Sequence, residues 1–174
     1  IPAHVESNTG YFSSYEIQVI LSMLRILDNP LQDIPMAAVL ASPIVGMDDE
    51  ELAQIRSAFK GVSFAQAALS AMAGEDGYED EKLKAFALVF ERLRGAVADT
   101  PIHELLYMML DETGFYRYAS AMPAGKRRRQ NIDMLIEMAA AYEKTSYKGL
   151  FHFVRYIDIQ QKYEIDSVSY THLT

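Results

Sequence analysis

Apolar positions along this chain recur at steps of three and four, the period of helices that turn one face to a core. Ile17, Ile20, Leu21, Leu24 and Leu27 make the first stripe. Ser13 with Glu16 three residues on reads as a capping box at its start, and Asn29-Pro30 stops it. Asp33 is placed to cap a short second helix carrying Pro35 in its first turn. Asp48 with Glu51 is a second capping box, opening a helix to about Phe59, and Ser63 caps an Ala-rich helix that ends at Gly74. Leu83, Phe86, Phe90, Leu93 and Val97 stripe a longer helix from about Glu79. Thr100-Pro101 opens the next, with Ile102, Leu105, Leu106 and Met109 on its apolar face and Gly114 at its end.

A short aromatic segment, Phe115 to Ala121, leads through a loop at Met122–Gly125 to a helix striped by Ile132, Leu135, Ile136, Ala139 and Tyr142. Ser146 caps the last helix, where Tyr147, Leu150, Phe151, Val154 and Ile157 are core candidates. Only the stretch near residues 3–6 reads as strand. The pattern predicts an all-α fold, an irregular bundle of eight or nine helices with a short N-terminal extended stub. The Gly- and acid-rich stretch Ala73–Tyr78 is expected to be a loop inside one domain.

With 174 residues, half of them hydrophobic, the chain is long enough for one self-sufficient core. It contains no Cys, which fits a reducing cytosol and a cytoplasmic location. No apolar run approaches the roughly 18 residues of a membrane span, so no membrane partner is expected. A net charge of −8 argues against a surface covered in phosphate contacts, but the charge is uneven: acid collects at Asp48–Glu51 and Glu75–Glu81, base at Lys126–Arg129. Ile1 is not an initiator Met, so the chain is expected to be a processed or excised piece.

The motifs for catalysis are incomplete. Gly125-Lys126 looks like the end of a phosphate-binding loop, but Ser120 stands where its first Gly belongs and Arg127 where a magnesium-holding hydroxyl belongs. His103-Glu104 begins like a zinc-protease helix, yet Tyr107 occupies the position of the second His. The acidic run from Glu75 to Glu81 lacks the ligand alternation of a calcium loop and suits the positive end of a helix. No catalytic, metal or cofactor-binding residue is expected. Lys126, Arg127, Arg128 and Arg129, with Asn131 close behind, form the run able to grip phosphate. Four cations at a helix start oppose its dipole, so either a carboxylate on the protein or a phosphodiester should compensate them. A solvated loop is the alternative. Tyr11, Phe12, Tyr107, Phe115, Tyr116 and Tyr118 are read first as staple, core or interface residues and second as stacking groups for bases.

The phrases TGYF, DNPLQDIP, SPIVG, ETGFY and AAAYEKTSYKGLFHFVRYI, and their order, resemble a segment of UvrD-like superfamily 1 DNA helicases that follows motif IV. The resemblance is to the AddA (RexA) subunit family of bacterial helicase–nucleases, and it runs from Ile1 to about Ile165. It implies that residues 1–10 are a stub of the 2A motor domain, that 11–165 are a helical 2B-like accessory domain, and that 166–174 are a disordered non-family tail. It also implies a parent that uses ATP and magnesium to unwind and degrade DNA in double-strand break repair. The partners it implies are DNA and an AddB- or RexB-type subunit. This segment would carry no cofactor itself. A helical protein–protein interaction module without a DNA role is the other reading. In UvrD-like relatives, the loop equivalent to Ser42–Asp49 sets backbone amides near duplex phosphate, which nominates Ser42 and Gly46. Pro43 and Gly46 match that loop, whereas Asp48 and Asp49 oppose a phosphate.

Overall fold

A computed structural model describes residues 10–145 and 148–172, with side chains to 167. Among these residues there are nine α-helices and no strand, and the stretch near residues 3–6 lies outside them. The helices are α1 (Tyr15–Asp28), α2 (Asp33–Ala41), α3 (Asp49–Ala58), α4 (Phe64–Met72), α5 (Glu81–Ala96), α6 (Ile102–Thr113), α7 (Phe115–Ala121), α8 (Gly125–Tyr142) and α9 (Leu150–His172). A single 3-10 turn, Glu75–Gly77, occupies the expected loop before α5. Buried side chains from all nine helices join in one core.

Helix α1 is the hub. The sequence marks one apolar stripe, but Val19, Met23 and Ile26 are buried as well, so the helix is enclosed over most of its circumference, with Tyr15 exposed and Gln18, Arg25 and Asp28 half-buried. It packs against α2, α5, α8 and α9. An enclosed helix satisfies the 3.6-residue period on more than one face, which is why the stripe understated its burial.

Local signals predict some helix starts and miss others. The capping boxes at Asp48/Glu51 and Ser63/Gln66 form with both reciprocal hydrogen bonds. Ser13/Glu16 has the same spacing and forms none. Ser13 and Ser14 donate their hydroxyls back to the Gly10 carbonyl, α1 starts at Tyr15, and Glu16 is engaged elsewhere. Asp33 does not cap its own helix; its Oδ1 accepts from the Ala65 amide at 2.9 Å and so caps the first turn of α4. Glu143, at the end of α8, accepts from the His103 amide at 2.8 Å and from its Nδ1 at 3.1 Å, supplying the cap that Thr100 does not.

The last helix corrects two expectations. Phe151 is exposed, whereas Phe153 is fully buried beside Leu150 and Ile157. Ser146 and Tyr147 lie outside the described residues. The helix also continues to His172, where a disordered tail was expected beyond Ile165. Periodicity reports a buried face rather than helicity, and no Gly or Pro interrupts this stretch.

The turn between α7 and α8 is tight. Ala124 sits in the left-handed region at φ +60°, and a Cβ on Gly125 would meet the Ser120 carbonyl oxygen at 1.9 Å. Gly125→Ala should therefore lower stability by about 1–3 kcal/mol, since backbone must move to admit the methyl group. Ala124→Gly should raise it by up to about 1 kcal/mol by relieving the left-handed penalty. Thermal unfolding of the two variants checks both signs.

Candidate nucleic-acid interface

The basic run begins on the first turn of α8, directly after that constrained turn. The structure divides it. Arg128 turns inward: its Nε donates to the Pro123 carbonyl at 2.9 Å and its Nη1 to Glu16 Oε2 at 3.2 Å. Asn131 follows it inward, donating from Nδ2 to Glu16 Oε1 at 3.2 Å. Glu16 itself is 2% exposed, on the first turn of α1. The Tyr11 hydroxyl closes the cluster by donating to the Asn131 carbonyl at 2.8 Å. Burial first, then the charges of Glu16 and Glu164, hold the Tyr11 phenol well above its usual range, so it remains a donor.

Lys126, Arg127 and Arg129 are exposed and form no ion pair among the described residues. Helix geometry accounts for the split. At 100° per residue, pinning Arg128 against the hub puts Arg127 and Arg129 on its flanks and Lys126 on the far side. The sequence carried this signal: Arg128 shares a phase with Ile132, Leu135 and Ala139, which face the core. A second signal was missed. From Thr113 to Ile132 the chain holds Arg117 and the four clustered cations but no Asp or Glu. The stretch from α7 through the first two turns of α8 is thus locally basic on an acidic protein, with Asp133 directly after it.

The loop at Ser42–Asp49 is built differently. The Ser42 hydroxyl is buried, donating to the Val39 carbonyl at 2.7 Å and accepting from the Ile44 amide at 3.2 Å. The amides of Val45 and Gly46 bond the Ser42 carbonyl, that of Met47 bonds Leu40, and that of Asp48 bonds Glu51. Gly46 adopts φ +79° as a turn residue, and its carbonyl accepts from Lys82 Nζ at 2.9 Å. The amides from Ile44 to Asp48 thus already have internal partners. Neither Ser42 nor Gly46 is hydrogen-bonded to the basic run.

The remaining motifs resolve into structure. His103 pairs with Glu143 as a helix cap. Asp80 caps α5 by accepting from Leu83 at 2.9 Å, which leaves Glu81 in the first turn. Among the described residues no group of three or more His, Cys, Asp or Glu is placed to hold a metal ion, and no helix is long and apolar enough to cross a membrane. Tyr11, Phe12 and Phe115 are buried, so none offers a face for stacking.

The class of protein is therefore an all-α bundle with a carboxylate-centred polar cluster beneath an outward-facing basic turn. The chain is 42% identical over 168 residues to the AddA subunit of the ATP-dependent helicase/nuclease from Anoxybacillus flavithermus, covering 95% of this chain and 14% of that protein. It is 41% identical over 162 residues to the subunit of the same name from Bacillus cytotoxicus, covering 91% and 13%. For the Bacillus velezensis protein the figures are 38% over 164 residues, 93% and 13%. No protein-family model matches the chain. The chain is thus similar to one segment of the AddA subunits of ATP-dependent helicase/nucleases, and it spans only 13–14% of the length of these relatives.

Removing one member of a buried pair leaves the other charge without a partner, at a cost of roughly 3–5 kcal/mol. Glu16 is almost fully enclosed and Arg128 partly open, so Arg128→Ala should lower stability by about 3 kcal/mol or somewhat less. Arg127→Ala, on the exposed flank, should stay within about 0.5 kcal/mol of the parent. Urea unfolding of the two variants side by side checks the contrast.

Proposed function

We propose that this chain is a non-catalytic accessory domain, of the 2B type, from an ATP-dependent DNA helicase/exonuclease subunit that processes double-strand breaks in the cytoplasm. The observation that carries this reading is the 38–42% identity to one segment of AddA helicase/nuclease subunits over 91–95% of this chain. The all-helical body and the incomplete phosphate-loop motif at Ser120–Arg127 agree with a piece that lies between motor motifs. ATP, magnesium and the nuclease centre would belong to other parts of the parent, which would work with an AddB- or RexB-like subunit.

In this reading the domain holds DNA through Lys126, Arg127 and Arg129. Arg128 and Asn131 support the turn from behind. Ser42 and Gly46 are not part of the contact, because their polar groups are already hydrogen-bonded within the loop.

The alternative of a helical interaction module has its own supporting observation. Phe151, Ile159 and Tyr163 are exposed on α9 at spacings of four and eight residues. A partner seated there would bury an apolar stripe and would ignore the basic turn.

Binding of a labelled forked duplex, followed by anisotropy at several salt concentrations, separates the two. Phosphate contact predicts affinity that falls with salt, by roughly 0.9 in log–log slope per neutralised phosphate. Replacing Lys126, Arg127 and Arg129 by Ala should then reduce the slope by about two to three. An unchanged slope in the triple variant would refute the contact.

A further inference from the structure

A pocket of about 270 Å³ opens where the C-terminal half of α6, the start of α7 and the middle of α8 meet. Leu110 and Ile136 line it and are buried, so part of its wall is apolar. Tyr107 lines it too and is 59% exposed, which leaves its ring accessible. Asp111 from α6 and Asp133 from α8 bring two carboxylates to the same place. The Tyr116 hydroxyl donates to Asp133 Oδ1 at 3.2 Å and so orients that carboxylate. Burial, then the Asp133 charge, holds the Tyr116 phenol above its usual range, and it remains the donor. The Asp111 side chain has no hydrogen bond or ion pair among the described residues. Arg117, also in the lining, pairs with neither carboxylate.

Helix geometry joins this pocket to the basic turn. Arg129 lies four residues before Asp133 on α8, so the two share a face with Cβ atoms roughly 6 Å apart. No ion pair joins them. The volume falls just below the roughly 300–1,000 Å³ of sites for whole small molecules, and suits a single base or side chain. Ionised carboxylates only accept hydrogen bonds, so the occupant must bring N–H groups. Guanine presents more of them on its Watson–Crick edge than any other base: the ring N1–H and both hydrogens of its exocyclic amine. An arginine side chain from another polypeptide also offers N–H groups to carboxylates. Arg117 in the lining and Arg129 one turn away repel a guanidinium, whereas they suit the phosphates of a nucleotide.

We propose that this pocket takes the base of an unpaired guanine nucleotide, with Asp111 and Asp133 accepting from its Watson–Crick edge. Tyr107 covers the plane of the base, and Arg117 and Arg129 meet the flanking phosphates. Base pairing hides that edge, so the ligand is single-stranded DNA. The proposal rests on the reading that the basic turn contacts DNA, and it adds the strand state and the preferred base.

The test uses the full 174-residue chain and labelled oligo-dT strands carrying a central dG, a central deoxyinosine or neither, with binding read by anisotropy. The dG strand should bind roughly tenfold more tightly than plain oligo-dT, the scale of a bidentate base contact. Deoxyinosine lacks the exocyclic amine and should fall between them. The ratio between strands is the readout, because removing any carboxylate raises affinity for every strand. Asp111→Asn and Asp133→Asn should each bring the ratio close to unity. Both positions are exposed and the change is nearly isosteric, so the fold should survive, which thermal unfolding checks. Glu91→Gln, on the exposed side of α5, should leave the ratio unchanged. A dG preference that survives both Asp variants, or no preference while plain oligo-dT still binds, would overturn the pocket and leave the phosphate contact standing. Displacement of the dG strand by N-acetylarginine amide at lower concentration than by dGMP would assign the pocket to a peptide side chain instead. If the parent chain binds no strand at any salt concentration, this proposal and the DNA reading fall together.

Discussion

The fold depends on satisfying one buried carboxylate. Glu16 sits at the start of the most enclosed helix in the bundle, where an isolated charge would be strongly unfavourable. Arg128 and Asn131, more than a hundred residues later in the chain, meet its two oxygens one each. Those bonds fix where the first turn of α8 lies on the hub. Tyr11 adds a third tie by reaching the Asn131 carbonyl, so the segment leading into α1 is held to the same turn. A buried ion pair of this kind is weak evidence for stability as such, because desolvation offsets much of its attraction. Its larger effect is on register: any rotation of α1 or α8 would bury Glu16 without a partner.

A second set of polar ties runs along the hub. Arg25 donates to Asp158 at 3.0 Å and to Gln161 at 2.8 Å, and Glu164 accepts from the Phe12 amide at 3.3 Å. These bonds dock α9 along α1, while Phe153 and Ile157 fill the contact beneath. Two sets of carboxylate and guanidinium groups thus converge on α1, one from α8 and one from α9. The first and last thirds of the chain become one body through it.

Much of the helix content was legible because it is written locally. The Asp48 and Ser63 boxes, the Gly114 stop and the stripes of α5, α6 and α8 each lie within a few residues of their effect. The failures share a cause. Ser13/Glu16 and Asp33 have the residue types of caps, but tertiary partners claim the carboxylates: Arg128 for one and the Ala65 amide for the other. Spacing along the chain cannot reveal a partner that arrives from elsewhere. The basic run was legible as a run, and its division was recoverable only from helical phase. Ser42 and Gly46 came from resemblance alone, and the amides from Ile44 to Asp48 are committed to internal bonds that the sequence does not display.

The division of the run also answers an electrostatic question that its composition raises. Four cations at the positive end of a helix need compensation, from a carboxylate or from an external anion. Glu16 compensates one of the four, and it does so inside the protein. Lys126, Arg127 and Arg129 keep the unfavourable dipole interaction with no ion pair among the described residues. A net charge of −8 says little about the field here, because screening confines each charge to a radius of about 8–10 Å, and the hairpin between Thr113 and Ile132 holds no acid. The local potential is dominated by the three outward cations and the dipole behind them, both positive, with Asp133 one turn further along α8 from Arg129. An anion bound at this turn would relieve both terms at once, whereas a carboxylate from the protein's own surface would have to come from outside the hairpin.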